Sequence, residues 1–242
     1  MIVRILIFSL SAFAVGGLGM YLATRNAEPP ARRKRWIKFI TYFCIVHLVL
    51  LCGLLGRGLL SVLVLAIVWI GAFELYRALR GRGNMLRAGA FLAYLLLAIG
   101  LIFFVLLSTA EAVVFVYIVI AAFDGFSQVT GQLIGRRQLA RMISPAKTLE
   151  GAAGGLVMAA VTALLLRPLV NMSGGESLAF CSWITLSGLC GDLAASWIKR
   201  QSGVKDFGRL LPGHGGILDR FDSFLVAGPA ALLWMSRGRF WS

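Results

Sequence analysis

Acidic residues are scarce in this chain: ten Asp and Glu stand against 24 Lys and Arg, a formal net charge of +14 over 242 residues. Proline is sparse as well, at six. The four cysteines, Cys44, Cys52, Cys181 and Cys190, form no Cys-x-x-Cys pair and all lie in apolar stretches. They offer no zinc-ribbon or dithiol motif and read as small packing residues, silent about redox compartment. There is no internal repeat, no low-complexity tract and no polar stretch long enough for a soluble domain. The strict apolar–polar alternation that a membrane β-strand requires is missing too.

What the chain has instead is apolar length. Hydrophobic residues make up 59% of it and the mean hydropathy is +0.86. The apolar stretches run roughly 17–25 residues, the length a helix needs to cross the hydrocarbon core. In lipid only helices and closed barrels satisfy their own backbone. The expected fold is therefore all-α, a polytopic transmembrane bundle of about eight spans in a single integral membrane domain over residues 1–242. The spans are expected at Ile2–Ala23, Trp36–Leu55, Leu59–Tyr76, Ala88–Leu107, Ala112–Ile134, Gly151–Val170, Leu178–Ile198 and Phe221–Met235. The last is short enough to be tilted or partial. Residues 1–23, with Arg4 as their one early cation, read as a retained span rather than a signal peptide. Glu28-Pro29-Pro30 reads as a loop turn.

A charge of +14 on a soluble protein would suggest nucleic acid, but position excludes that partner here. Nineteen of the 24 cations fall in four connections that alternate with nearly uncharged ones. The first carries Arg25, Arg32, Arg33, Lys34, Arg35 and Lys38, and the second Arg77, Arg80, Arg82 and Arg87. The third has Arg136, Arg137, Arg141 and Lys147, and the fourth Lys199, Arg200, Lys205, Arg209 and Arg220. Cytoplasmic loops of membrane proteins carry this excess, so the pattern implies an outside N-terminus and a multi-pass protein of the cell (inner) membrane, with the basic side cytoplasmic. That side faces anionic membrane lipids and suits an anionic substrate. Arg237 and Arg239 depart from the rule.

Carboxylates in or beside membrane helices are costly, so each needs a reason. Glu74 can snorkel or pair with Arg77 or Arg80; His47 reads as a hydrogen-bonded packing residue, and Arg167 as a snorkelling cation. Asp192 is different. It lies seven residues before Lys199, roughly 10 Å inside its span at 1.5 Å per residue. Asp192, Ser196 and Lys199 share one helical face that must point inward or into a wet cavity. Asp124, Gln128 and Gly131 make a second such stripe. Asp219 and Asp222, three apart at the start of the last span, project the same way. The preceding Gly213-His214-Gly215-Gly216 lets backbone approach an anion beside a helix N-terminus. With Asp192 they form an expected all-oxygen site for Mg²⁺, with a second cation an option. Helix capping would explain the Asp pair singly, and positive-inside bias the cations, but not the gathering of acids in the most basic loop. Ser144-Pro145-Ala146-Lys147-Thr148-Leu149-Glu150-Gly151 lacks the glycines of a P-loop. It reads as a helix start, with Ser144 as cap and Pro145 in the first turn.

The run from Ser196 to Asp222 resembles the phosphatidate cytidylyltransferases, whose motif is matched at Ser196, Lys199, Arg200, Lys205, Asp206, Pro212, His214, Gly215, Gly216, Asp219, Arg220 and Asp222. Ser144, Pro145, Lys147, Thr148, Glu150, Gly151, Gly154 and Gly155 resemble the family's upstream motif. After Asp124 the pattern departs, with Gln128 following Ser127 where the family has an aromatic. The resemblance covers roughly the C-terminal half: residues 111–242 would be catalytic, and residues 1–110 are helices of unassigned role. It implies that CTP and phosphatidate, or a related lipid phosphate, give CDP-diacylglycerol and pyrophosphate, and it suggests a homodimer. The expected roles are catalytic for Lys199, Arg200, Lys205, His214 and Arg220, and metal-binding for Asp192, Asp219 and Asp222. Asp124, Ser144, Lys147, Thr148, Glu150, Ser196, Asp206, Gly215 and Gly216 are expected to bind substrate. The rival reading from another class is a transporter or channel with Asp124 and Asp192 as a relay, although transporters place such groups near the midplane between repeated halves.

Overall fold

The structure, a computed structural model, describes residues 2–213 and 215–236; His214, Arg237 and Arg239 lie outside the described residues. Among the described residues eight α-helices run α1 (Ile2–Thr24), α2 (Pro29–Leu55), α3 (Arg57–Leu79), α4 (Asn84–Leu107), α5 (Ala110–Ile134), α6 (Leu149–Leu166), α7 (Gly174–Gln201) and α8 (Leu218–Ser236). Among the described residues, α1 to α7 are long and apolar enough to cross a membrane. The protein is a membrane helix bundle. The eighth helix is present where the last span was expected, outside that set of seven; Pro229 lies inside it and most of its length is buried.

α5 is the axis of the bundle. Its residues Ala112–Ala121 are buried all round, as in a helix enclosed by neighbours rather than facing lipid on one side. It packs against α1, α2, α4, α6, α7 and α8. Its closest partner is α6, where a side chain at Gly154 would strike Thr130 and one at Gly155 would strike Ser127. Small residues let these two backbones approach, the usual way helices pack where lipid gives no hydrophobic drive. α5 is also where the chain turns from apolar to functional, since Asp124 follows the fully buried stretch within the same helix.

Helices extend past their apolar stretches because polar residues continue them outside the hydrocarbon. α2 begins at Pro29 rather than Trp36, so Glu28-Pro29-Pro30 is a helix start, with prolines in the first turn, where a missing N–H costs nothing. The reading of Ser144-Pro145 as a helix start is corrected as well. Ser144–Thr148 is strand β2, paired antiparallel with β1 (Gln138–Ala140), and Pro145 sits exposed in a two-stranded hairpin where an edge needs no donor. The cap of α6 is Thr148, whose Oγ1 accepts the Gly151 N–H at 3.0 Å.

The four basic connections meet at one end of the bundle. Arg82 donates to the Ser202 carbonyl at 2.5 Å, Arg200 Nε to the Ile143 carbonyl at 3.1 Å, and Thr41 Oγ1 to the Pro212 carbonyl at 3.1 Å. At the opposite end Arg57 reaches the Ser108 carbonyl at 3.5 Å. Loops grouped in sequence by their charge are thus grouped in space by contact.

Candidate active site

The α7–α8 connection has few backbone bonds of its own, and buried carboxylates hold it in place. Asp219, in the first turn of α8, accepts the Phe207 N–H at 2.8 Å and the Gly216 N–H at 2.9 Å on Oδ2. Its Oδ1 accepts Lys199 Nζ at 2.8 Å. Phe207 lies beneath that ammonium, 5.2 Å from it to the ring centroid. Gly215 closes the loop at φ +85°, where a side chain would collide with Asp219 and Asp206. Leu211 bridges back to Gly215, donating its N–H to the Gly215 carbonyl at 2.8 Å.

Sequence reading missed the second clamp. Glu74, from α3, is 3% exposed and accepts the Ile217 N–H at 3.1 Å and the Leu218 N–H at 2.8 Å. These are among the orphan donors of the α8 N-terminus, so a carboxylate from a distant helix caps α8 and sits at the positive end of its dipole. Glu74 makes no ion pair with Arg77 or Arg80 among the described residues, which corrects the surface reading. The available signal was a lone acid inside an apolar span, a residue type rarely buried without a strong partner. Gly208 and Gly216 are small because Glu74 fills the space a side chain would need. His47 does pack as expected, between the Phe43 carbonyl at 2.8 Å and Ser9 Oγ at 3.3 Å.

The remaining acids face one another across three helices. Asp222, buried on α8, lies within electrostatic reach of Asp192 on α7, Lys199, Arg220 and Asp124. Asp124, on α5, lies within electrostatic reach of Asp192, Lys147 and Arg220. Lys147, from β2, is ion-paired with Asp192, and Ser196 Oγ stands 3.5 Å from the same carboxylate. Arg220 stacks over Tyr42 at 6.0 Å, and its Nε is buried without a hydrogen-bond partner among the described residues. Asp219 of the expected trio accepts three donors, and Asp124 lies near Asp192 and Asp222. Among the described residues no three His, Cys, Asp or Glu side chains stand close enough to hold a metal ion by themselves.

The other expected site residues divide. Lys147, Ser196, Lys199 and Arg220 border the acid cluster. Thr148 and Glu150 serve the hairpin: Glu150 accepts the Arg136 and Arg137 N–H groups at 3.0 and 3.1 Å. Ser144 pairs with Ala140 in the hairpin. Arg200, Lys205 and Asp206 are exposed around the loop, while Gly215 and Gly216 pack against the loop's own carboxylates.

The Cytidylyltransferase family profile matches residues 90–236, from α4 to the end of α8. The chain belongs to the cytidylyltransferase family. It is 43% identical over 124 residues to a phosphatidate cytidylyltransferase of Brucella abortus, 51% of this chain and 45% of that one. A phosphatidate cytidylyltransferase of Staphylococcus saprophyticus is 43% identical over 119 residues, 48% of this chain and 46% of that one. An Escherichia coli (strain K12) protein described as uncharacterized protein YnbB is 45% identical over 100 residues, 41% of this chain and 34% of that protein. The chain spans a third to just under half the length of these curated relatives. Within the cytidylyltransferase match lie Asp124, Asp192, Asp219 and Asp222, whereas Glu74, Lys38 and Tyr42 fall outside it.

Proposed function

We propose that the protein transfers a cytidylyl group from CTP to phosphatidate, giving CDP-diacylglycerol and pyrophosphate, at the cytoplasmic face of the cell membrane. The observation that carries this reading is the meeting of Asp124, Asp192 and Asp222 from three helices among Lys147, Lys199 and Arg220. The names carried by the Brucella and Staphylococcus relatives point the same way. A phosphomonoester is already anionic at neutral pH, so the acceptor needs alignment and charge shielding more than a strong base. Its oxygen attacks the α-phosphorus of CTP as the bond to the bridging oxygen of the β-phosphate breaks, and pyrophosphate leaves. Lys147, Lys199 and Arg220 offset the charge on the non-bridging oxygens, preorganised where that charge develops.

Neighbouring carboxylates repel each other, and a divalent cation relieves that cost. Asp222 is buried and makes no ion pair among the described residues, so its carboxylate fits a hard cation. Mg²⁺ needs only one or two carboxylates, completing its shell with water and substrate phosphates. Asp222 and Asp192 are the residues that would hold it, with Asp124 behind them. When bound it would shield the triphosphate and polarise the phosphoryl oxygens. Lys147 would then exchange Asp192 for a substrate phosphate. A related lipid phosphate is the alternative acceptor.

Purified protein in detergent, given labelled CTP, Mg²⁺ and a panel of lipid phosphates, should form a CDP-lipid and pyrophosphate, with phosphatidate preferred. Asp222→Asn should cut turnover by about 100-fold or more, the scale of losing one electrostatic contact to the transition state. No CDP-lipid with any acceptor, alongside ion flux through the protein in liposomes, would favour the transport reading instead.

A further inference from the structure

A slot lies between α1, α2 and α5, with Arg220 of α8 in its lining. Its wall is apolar over most of its length, with Phe8 and Phe13 from α1, Val46 from α2 and Ile118 from α5. Room for it comes from small residues at Ala12, Gly16, Ala121 and Gly125. The polar groups gather at the end nearest the basic loops: Lys38, Arg220, Asp124 and Gln128. On α1 the lining runs from Phe8 to Met20, about 18 Å at 1.5 Å per residue. One leaflet of the hydrocarbon core is about 15 Å deep, half of roughly 30 Å.

Resting on the proposed function, we infer that this cavity is the acceptor-lipid site: one acyl chain lies between α1, α2 and α5, and the lipid phosphate is held between Lys38 and Arg220. Length and wall chemistry fit a single chain of one leaflet. The charged end selects the headgroup. Lys38 is half-buried and makes no ion pair among the described residues, and its charged neighbours are Arg220, Lys34 and Lys205 against one acid, Asp206. Arg220 Nε is buried and lacks a hydrogen-bond partner among the described residues. Two cations at the mouth of an apolar slot complement a phosphomonoester far better than a neutral or zwitterionic headgroup. Arg220 and Asp124 also belong to the acid cluster, so the chain in the slot delivers its phosphate to the reacting end. Lys38 lies outside the cytidylyltransferase match, and so do α1 and α2. The N-terminal helices thereby acquire a role, binding the acceptor.

The test uses full-length protein in nanodiscs and a phosphatidate bearing a diazirine midway along one acyl chain. Irradiation and peptide mass spectrometry should place the adducts on α1, α2 and α5, and unlabelled phosphatidate should compete them away. Ala12→Trp, which fills the slot, should lower those adducts and raise the KM for lipid, with the KM for CTP within about twofold. Lys38→Gln, which leaves the slot open, should raise the KM for lipid about tenfold, the scale of one charge-assisted contact to phosphate. Adducts confined to the outward faces of α3, α4 or α6, or a lipid KM untouched by both variants, would overturn the assignment. Adducts in the slot without any CDP-lipid product would support the lipid site and refute the proposed reaction. Product with adducts elsewhere would refute the site and leave the reaction standing.

Discussion

Replacing Glu74 should damage a site whose acids it never touches. Its carboxylate is buried and holds two N–H groups at the α8 N-terminus, at 3.1 and 2.8 Å. A hydrogen bond to a charged group contributes about 1.5–3 kcal/mol, and an unsatisfied buried donor costs about 1–3 kcal/mol. Glu74→Ala strands both donors, and since the two losses are not additive, the expected destabilisation is about 3 kcal/mol. For a chain of this size that lowers the melting temperature by about 6–12 °C. Glu74→Gln keeps the length and one acceptor oxygen but loses the charge, so it should fall between alanine and wild type. The loss of turnover should exceed the loss of stability, because the capped turn carries Asp219, Arg220 and Asp222. A displacement of about 1 Å there costs on the order of 100-fold. Melting curves of detergent-purified variants, with turnover measured well below each variant's own transition, separate the two effects. If Glu74→Ala melted with wild type and turned over CTP normally, α8 would not depend on this cap and the argument would fail.

Lys199→Met leaves Asp219 charged and unpaired in a buried position, which costs about 3–5 kcal/mol, and the pairing is checked by partial recovery in Lys199→Met combined with Asp219→Asn. Gly155→Ala drives a methyl into Ser127 and the Phe123 carbonyl, so it should lower stability by about 1–3 kcal/mol in thermal unfolding, with the KM for CTP unchanged. Thr148→Val removes the α6 cap and should cost about 1 kcal/mol by the same measurement. Gly191→Ala presses Val226 and the Asp222 carbonyl, so its effect should appear in turnover as well as in melting.

The bundle was legible because apolar length is a direct reading of what lipid demands, and the grouping of loops because charge follows topology. Helix ends were not, since a helix continues past the lipid boundary for as long as its residues tolerate it: α2 gained about two turns before Trp36. Motif residues were found, but the contacts that distinguish them were not. Asp219 and Asp222 share a helix face and differ by one contact set, the Lys199 ammonium with the Phe207 and Gly216 N–H groups, which only the folded loop supplies. Nothing in the spacing of Asp124 shows that α5 packs against both α7 and α8. Glu74 escaped because its partners lie 143 and 144 residues away, while Arg77 and Arg80 offered a local explanation at helical spacing.

That last case says something about how the two halves of the chain depend on each other. The loop from Ser202 to Ile217 carries motif residues, yet much of what fixes its outer surface comes from residues outside the family match: Glu74 on its end, Arg82 on its start, Thr41 on Pro212, and Lys38 against Gly213. Three of these contacts are hydrogen bonds and the fourth packs the Lys38 stem at Gly213; all are made at the basic end, so none is needed to keep α1 to α3 in the membrane. A bundle that only anchored the catalytic half would have no reason to spend a buried glutamate on α8. The contacts instead make the position of the Asp219–Asp222 turn a joint property of both halves. The N-terminal helices must therefore be replaced as a set with their loop partners if they are exchanged for those of a relative, and a chimera that breaks the Glu74 clamp should insert normally and turn over poorly.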